Sequence, residues 1–188
     1  MPEQDVSNFN GFVELFEKWN RSINLSAAST RAEILEHVED SLAVVPVLVE
    51  LWASAPSFRV LDVGSGGGFP VVIAAIALPQ IQFVSLEPIH KKHAFLKTAL
   101  RELRLTNLDP RAERLEDHAT NDYDVAMSRA TFDLAEWLRL GAQRVRPGGH
   151  VIGFEAQPRS DLGQVERVPY VVAGKPRALV ILSVDQRT

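Results

Sequence analysis

The chain has 188 residues, 46% of them apolar and 23% charged, which is enough to bury the core of one domain and too apolar for a disordered chain. A formal charge of −4 argues against a generic charge-driven nucleic-acid binder, whose domains are basic, while leaving room for a local basic face. Without cysteine there is neither a disulfide nor a thiolate metal site. The first residues carry no basic segment followed by an apolar run, and no stretch reaches membrane-span length, so a cytoplasmic protein without a signal peptide or membrane partner is expected.

Phe9, Phe12, Val13, Phe16 and Trp19 recur at helical period and predict a helix over 8–20. Thr30 and Glu33 have the spacing of a capping box and start a second helix. A third helical run, through Leu42, Val45, Leu48, Val49 and Trp52, contains Pro46, so a kink or break is expected near it. Residues 1–52 therefore read as a helical appendage, joined by a Pro56-containing connector at 53–57 to a core over 58–188, all within a single domain. In the core, strands are predicted at 59–63, 81–87, 108–112, 123–128, 149–155, 167–173 and 178–184, and helices at 70–78, 89–104 and 133–145. Such alternation implies an α/β fold with a mostly parallel sheet and helices on both faces. Gly174-Lys175-Pro176 is a turn signal that makes the last two strands an antiparallel terminal hairpin. His90 and His93, three apart on a helix, read as solvated surface residues, and no metal site is expected.

The most informative stretch runs from Arg59 to Pro70: a buried strand, an acid (Asp62), a glycine turn, then a proline placed to open a helix. Free N–H groups at a helix start favour a polar or anionic ligand group. The dinucleotide fingerprint G-x-G-x-x-G is not met: Gly64, Gly66 and Gly68 give G-x-G-x-G, and Phe69 occupies the third glycine's place. Asp62 would repel a pyrophosphate but suits the ammonium of an amino-acid-like ligand. The segment resembles motif I of the class I S-adenosylmethionine-dependent methyltransferases, a Rossmann-like fold whose sheet has seven strands with a reversed terminal hairpin.

In doubly wound sheets ligands sit beyond the carboxyl ends of the strands. Glu87 ends the second strand, 23 residues after Gly64, where a carboxylate can accept ribose hydroxyls; otherwise it is a surface acid at a helix start. Ala112 and Glu113 end the third strand, where a small residue leaves room for a flat base, and Glu113 is otherwise a solvated loop acid. Arg129 ends the fourth strand and could make bidentate contacts to a carboxylate or phosphate, or merely reach solvent. Arg146-Pro147-Gly148-Gly149 reads as a turn before the fifth strand. His90, Lys91, Lys92, Lys97, Arg101 and Arg104 make the 89–104 helix basic opposite a core stripe of Phe95, Leu96, Ala99, Leu100 and Leu103. That face is either solvated or holds RNA phosphates.

Together these residues resemble one family, the bacterial small-subunit (16S) rRNA guanine-N7 methyltransferases of the RsmG type, also called glucose-inhibited division protein B. The resemblance rests on Trp19-Asn20 and Asn24-Leu25 in the first loop, His37-x-x-Asp40-Ser41, the Gly64–Pro70 turn, Lys91-Lys92, Phe95-Leu96, Ala112-Glu113, Ser128-Arg129-Ala130 and Arg177. It implies S-adenosyl-L-methionine as cofactor, with Gly64, Phe69, Ala112, Glu113 and Arg129 touching it, and 16S rRNA or the small ribosomal subunit as partner of a monomer. Val71 stands where the family has glycine, Pro88 where it has serine, and Lys92 where it has arginine. Glu155-Ala156 replaces a lysine-glycine, setting a negative charge on the edge expected to face the cofactor.

Guanine N7 carries a free lone pair at neutral pH, so its methylation needs positioning and electrostatics rather than a general base, with Arg129 as the positioning candidate and no catalytic acid or base. Two alternatives stand beside this reading. One is a methyltransferase of the same fold acting on a small molecule or protein; the other is a non-catalytic ribosome- or RNA-binding relative.

Overall fold

The computed structural model describes residues 3–52 and 57–185, so most of the predicted connector, 53–56, lies outside the described residues. The chain opens with three helices, α1 (Glu3–Ile23), α2 (Arg31–Leu42) and α3 (Val44–Trp52). The Thr30 hydroxyl accepts the Glu33 N–H at 3.2 Å while the Glu33 carboxylate accepts the Thr30 N–H at 3.0 Å, which is the predicted capping box. The break expected from Pro46 falls at Ala43. Pro46 has no N–H for the Leu42 carbonyl and its ring crowds that carbonyl, so it is accommodated only in the first turn of a new helix.

Seven strands follow: β1 (Arg59–Val63), β2 (Gln82–Leu86), β3 (Leu108–Arg111), β4 (Tyr123–Ser128), β5 (Val145–Glu155), β6 (Glu166–Val172) and β7 (Lys175–Ser183). Between them lie α4 (Val71–Ala77), α5 (His90–Leu103) and α6 (Leu134–Gly141). The sheet order is β3-β2-β1-β4-β5-β7-β6, and β7 runs antiparallel to both neighbours while the pairs among β1–β5 are parallel. The reversal at β1, where the order changes direction toward β4, opens a crevice at the carboxyl end of the sheet.

Three boundaries in the core differ from the sequence reading by three residues or more. Arg146–Gly149 is a bulge inside a longer β5, because Val145 already pairs with Tyr123 and pairing resumes at His150 with Val125. The final turn is Ala173-Gly174, with φ +48° and +74°, and Lys175 and Pro176 belong to β7. α6 ends at Gly141 rather than near 145 because the Arg144 guanidinium donates to the carbonyls of His118 and Leu115, at 2.6 and 2.8 Å, and draws the chain into β5.

Alternation along the strands sends Val60, Phe83, Val125 and Ile152 to one face and Leu61, Val84, Ala126 and Val151 to the other. The first face is covered by α4 and α5 and, outside them, by Phe12, Phe16, Ile34 and Leu48 of α1–α3. The second is covered by Trp137 and Leu138 of α6. The helical appendage thus shares one buried cluster with the core instead of sitting beside it.

Candidate functional site: a cleft at the carboxyl end of the sheet

β1 delivers Asp62 and the turn Gly64–Pro70 to the crevice. The Gly64 and Ser65 N–H groups donate to the Leu86 carbonyl at 2.9 and 3.3 Å, which pins the turn to β2. Gly64 has φ +75°, and a Cβ there would lie 2.2 Å from the Thr131 hydroxyl, so neither backbone nor space admits a side chain. Gly66, with φ +53°, meets only the Gly64 carbonyl oxygen at 3.8 Å, so its outer side is open to the cleft. Gly68 is buried under the turn against Val72 and does not line the cleft; its carbonyl accepts the Val72 N–H at 2.8 Å and starts α4. Pro70, expected as the first helical residue, is instead the N-cap.

Asp62 is 1% exposed. Its Oδ2 accepts the Ser65 hydroxyl, while Oδ1 has no hydrogen-bond partner among the described residues. Burial pushes its carboxyl up to about 7, against the opposing pull of the Ser65 hydrogen bond. Glu87 is buried, so the surface-acid alternative fails. Its Oε2 accepts the Gly66 N–H and its Oε1 the Ile89 N–H, both at 2.8 Å, bridging the glycine turn to the start of α5.

Arg129 leaves the end of β4 over the Phe69 ring, with the guanidinium carbon 5.3 Å from the ring centroid. Its Nη1 donates to Asp40 Oδ2 at 2.8 Å and lies 3.4 Å from His37 Nδ1. The other Asp40 oxygen accepts the Tyr170 hydroxyl at 2.8 Å. Burial first, and Arg129 second, hold the His37 ring below the usual imidazole range, so this histidine is neutral at physiological pH. Arg129 is therefore not free to reach solvent; α2, β4 and β6 hold it in place.

Gly64, Gly66, Phe69, Glu87, Lys92 and Arg129 converge on one cleft of about 390 Å³. Past Pro88 and Thr131 it continues into an inner recess of about 170 Å³ that Glu113 lines. Glu113 is fixed rather than solvated: its Oε1 lies 2.8 Å from Nδ1 of buried His118, whose Nε2 lies 2.8 Å from the Tyr123 hydroxyl. Ala112 follows the end of β3, is exposed, and lines neither cavity. On the other side, Arg129 and Ala130 also line an outer recess of about 400 Å³ with His37, Asp40 and Tyr170.

The expectation for Glu155 is corrected. Its side chain is 3% exposed, and Arg167 of β6 grips it through Nε at 3.0 Å and Nη2 at 3.2 Å, while the Arg159 N–H donates at 3.0 Å. The acid is neutralised inside the sheet edge and offers almost no charge to a ligand. On α5, Lys91, Lys97 and Arg101 are exposed, Arg101 pairs with neighbouring Glu102 at 2.8 Å, and Lys92 turns toward the cleft. His93 is not simply solvated, since its Nε2 lies 3.0 Å from the Pro110 carbonyl oxygen of β3.

Asp40, Tyr170 and Thr131 had no assigned role in the sequence. The spacing of His37 and Asp40 already places both on one helix face. Tyr170 has no such signal, since it reaches Asp40 only through the sheet order. Trp19 and Asn20 lie in α1 rather than in a loop; the Asn20 amide ties the following loop down, donating to the Ala28 carbonyl at 2.6 Å and accepting the Ser26 N–H at 3.0 Å.

The fold is that of solved S-adenosylmethionine-dependent methyltransferases. Magnesium protoporphyrin IX methyltransferase from Synechocystis PCC 6803, crystallised with bound SAM, superposes with a TM-score of 0.65 at 13% identity, covering 93% of this chain and 97% of that one. An O-methyltransferase from Thermotoga maritima gives 0.57 at 13% identity, over 80% and 66%. Among curated relatives, Ribosomal RNA small subunit methyltransferase G of Laribacter hongkongensis is 43% identical over 140 residues, 73% of this chain and 64% of that protein. Its namesakes from Bordetella avium and Burkholderia pseudomallei are 34% and 37% identical, over 84% and 82% of this chain and 70% and 68% of theirs. The chain thus spans just under two thirds of the Laribacter protein. With the model of GidB, rRNA small subunit methyltransferase G, matching residues 5–187, the chain belongs to that family.

Proposed function

We propose that this protein transfers the methyl group of S-adenosyl-L-methionine to N7 of a guanine in the 16S rRNA of the small ribosomal subunit, acting in the cytoplasm as a monomer. The observation that carries the reading is the adjacency of two cavities of matching size: the glycine-turn cleft and the outer recess share Arg129 and Ala130 as a common wall. One side suits a cofactor and the other an acceptor base.

The residues present fit the cofactor. Asp62, buried behind the turn and not itself lining the cleft, keeps one carboxylate oxygen without a hydrogen-bond partner, an acceptor that an ammonium would satisfy. Glu87 already accepts two N–H groups but, as a carboxylate with about four lone-pair sites, retains capacity for ribose hydroxyls. Glu113, held by His118, stands at the base end. When bound, the cofactor supplies an electrophilic methyl on a sulfonium. What the chain adds is position. Arg129 stands in the wall the two cavities share, with the neutral His37 beside it on the outer side, and no group there needs to take a proton, because N7 attacks with its own lone pair.

The test is methyl transfer to small ribosomal subunits lacking the modification, with N7-methylguanine detected by mass. Product that depends on S-adenosylmethionine supports the reading. Cofactor binding without product on these subunits would instead favour a small-molecule or protein methyltransferase, or a non-catalytic relative.

A further inference from the structure

Beyond the outer recess lies a larger groove, about 720 Å³, between the loop after β5 and the β6–β7 hairpin. Its walls include three prolines, Pro158, Pro169 and Pro176, and three cations, Arg167, Lys175 and Arg177. Its acid, Glu155, is consumed by Arg167. Lys175 and Arg177 form no ion pair among the described residues, and Arg177 Nε is buried without a hydrogen-bond partner. The groove shares Glu155, Ala156 and Arg177 with the outer recess, which in turn shares Arg129 and Ala130 with the cofactor cleft. The three cavities therefore adjoin in sequence, each sharing wall residues with the next, from the glycine turn to the sheet edge.

We infer that this groove is a second nucleotide site, which takes an unstacked nucleotide of the substrate strand next to the guanine being methylated. The inference rests on the proposed rRNA activity. Proline rings and an arginine plane offer flat apolar faces to a base irrespective of its identity, while unpaired cations beside them meet the flanking phosphates. Charge decides between occupants. With Glu155 neutralised, the groove carries a net positive wall on a chain whose total charge is −4, as an anionic strand requires. A strand entering here presents its neighbouring base to the recess beside Arg129, so the groove sets which nucleotide reaches the cofactor.

Pro158 and Lys175 line this groove but neither the cleft nor the outer recess, and both are exposed. The double variant Pro158→Asp, Lys175→Glu is expected to raise KM for small subunits tenfold or more, with kcat at saturation and the Kd for S-adenosylhomocysteine within twofold of wild type. A second experiment places the photocrosslinker benzoylphenylalanine at Gln157, on the groove wall, and irradiates the protein on small subunits. An adduct to 16S rRNA is expected. An unchanged KM, no adduct, or an adduct to a ribosomal protein overturns the inference. If wild type itself makes no N7-methylguanine, it is the parent activity that fails, and the two failures are told apart by that control.

Discussion

Arg129 and Asp40 are 89 residues apart in sequence, yet Nη1 of the first donates to Oδ2 of the second at 2.8 Å, with both side chains 16% exposed. The pair fastens an N-terminal helix to the end of the central strand β4. A charged hydrogen bond in such surroundings contributes about 1.5–3 kcal/mol. Asp40→Ala should cost that much in denaturant unfolding and also release Tyr170. The double variant with Arg129→Ala should lose little more, and a coupling energy near zero would show that the contact does not stabilise the fold.

Two of the cleft-lining glycines, Gly64 and Gly66, should fail differently. Gly64→Ala sets a methyl group against Thr131 at a positive φ, and should destabilise the fold by roughly 2 kcal/mol or more. Gly66→Val has room and costs only its backbone strain, about 1–2 kcal/mol, but fills the open side of the turn. Calorimetry should find a folded Gly66→Val protein that no longer binds S-adenosylhomocysteine. Retained binding would remove Gly66 from the site.

Asp62 makes stability depend on pH with a definite sign. Its folded carboxyl, near 7, lies above the ordinary value of 3.8 that applies unfolded, so the folded state holds the extra proton between those limits. Stability should fall as pH rises through this window, by about 2 kcal/mol between pH 5 and 7, and level off above it. Asp62→Asn should flatten that slope. Because an ammonium favours the ionised form, cofactor affinity should rise with pH toward 7, and binding at pH 6 should release a proton, visible as a buffer-dependent calorimetric heat. A buffer-independent heat would place the ammonium elsewhere.

Glu87 serves the fold as well as any ribose. Glu87→Gln keeps the shape but sets an NH₂ or a weaker acceptor against two backbone donors, so stability should drop by about 1.5–3 kcal/mol. If Glu87 also accepts ribose hydroxyls, the variant should lose discrimination against a 2′-deoxyribose cofactor analogue that wild type shows. Equal discrimination in both proteins would confine Glu87 to the turn.

Binding to rRNA should weaken as salt rises, because phosphate contacts release counterions. Reversing Lys91 and Lys92 to Glu should reduce that slope by about 1–2 and weaken RNA binding, as expected for one or two lost phosphate contacts. Lys91 is the cleaner single variant, because Lys92 also borders the cleft. An unaltered slope would assign the α5 face to solvent.

What the sequence made legible follows from how local each signal is. The order of helices and strands, the capping box at Thr30 and the glycine turn depend on neighbours along the chain, and all are found. The bulge at Arg146–Gly149 was hidden because it requires knowing that Val145 pairs with Tyr123. Glu155 misled for the same reason: a lone acid at a strand end reads as exposed until the sheet order brings Arg167 from β6 across β7 to meet it. Arg129 was legible at the end of β4, where it lines the cleft, while Asp40 of α2, which accepts its hydrogen bond, and Tyr170 of β6, which donates to Asp40, were not. The glycine turn reports on itself; everything that holds Arg129 comes from a distance.

Phe69 has two obligations. On one side its ring meets Phe12 and Phe16 of α1, at centroid distances of 5.3 and 5.2 Å; on the other it carries the Arg129 guanidinium at the mouth of the cleft. The first helix and the ligand site therefore share a wall. Whatever steadies that wall from one side is felt on the other, so a bound cofactor should slow amide exchange throughout α1, and trimming α1 should blunt cofactor affinity without removing any atom that touches it.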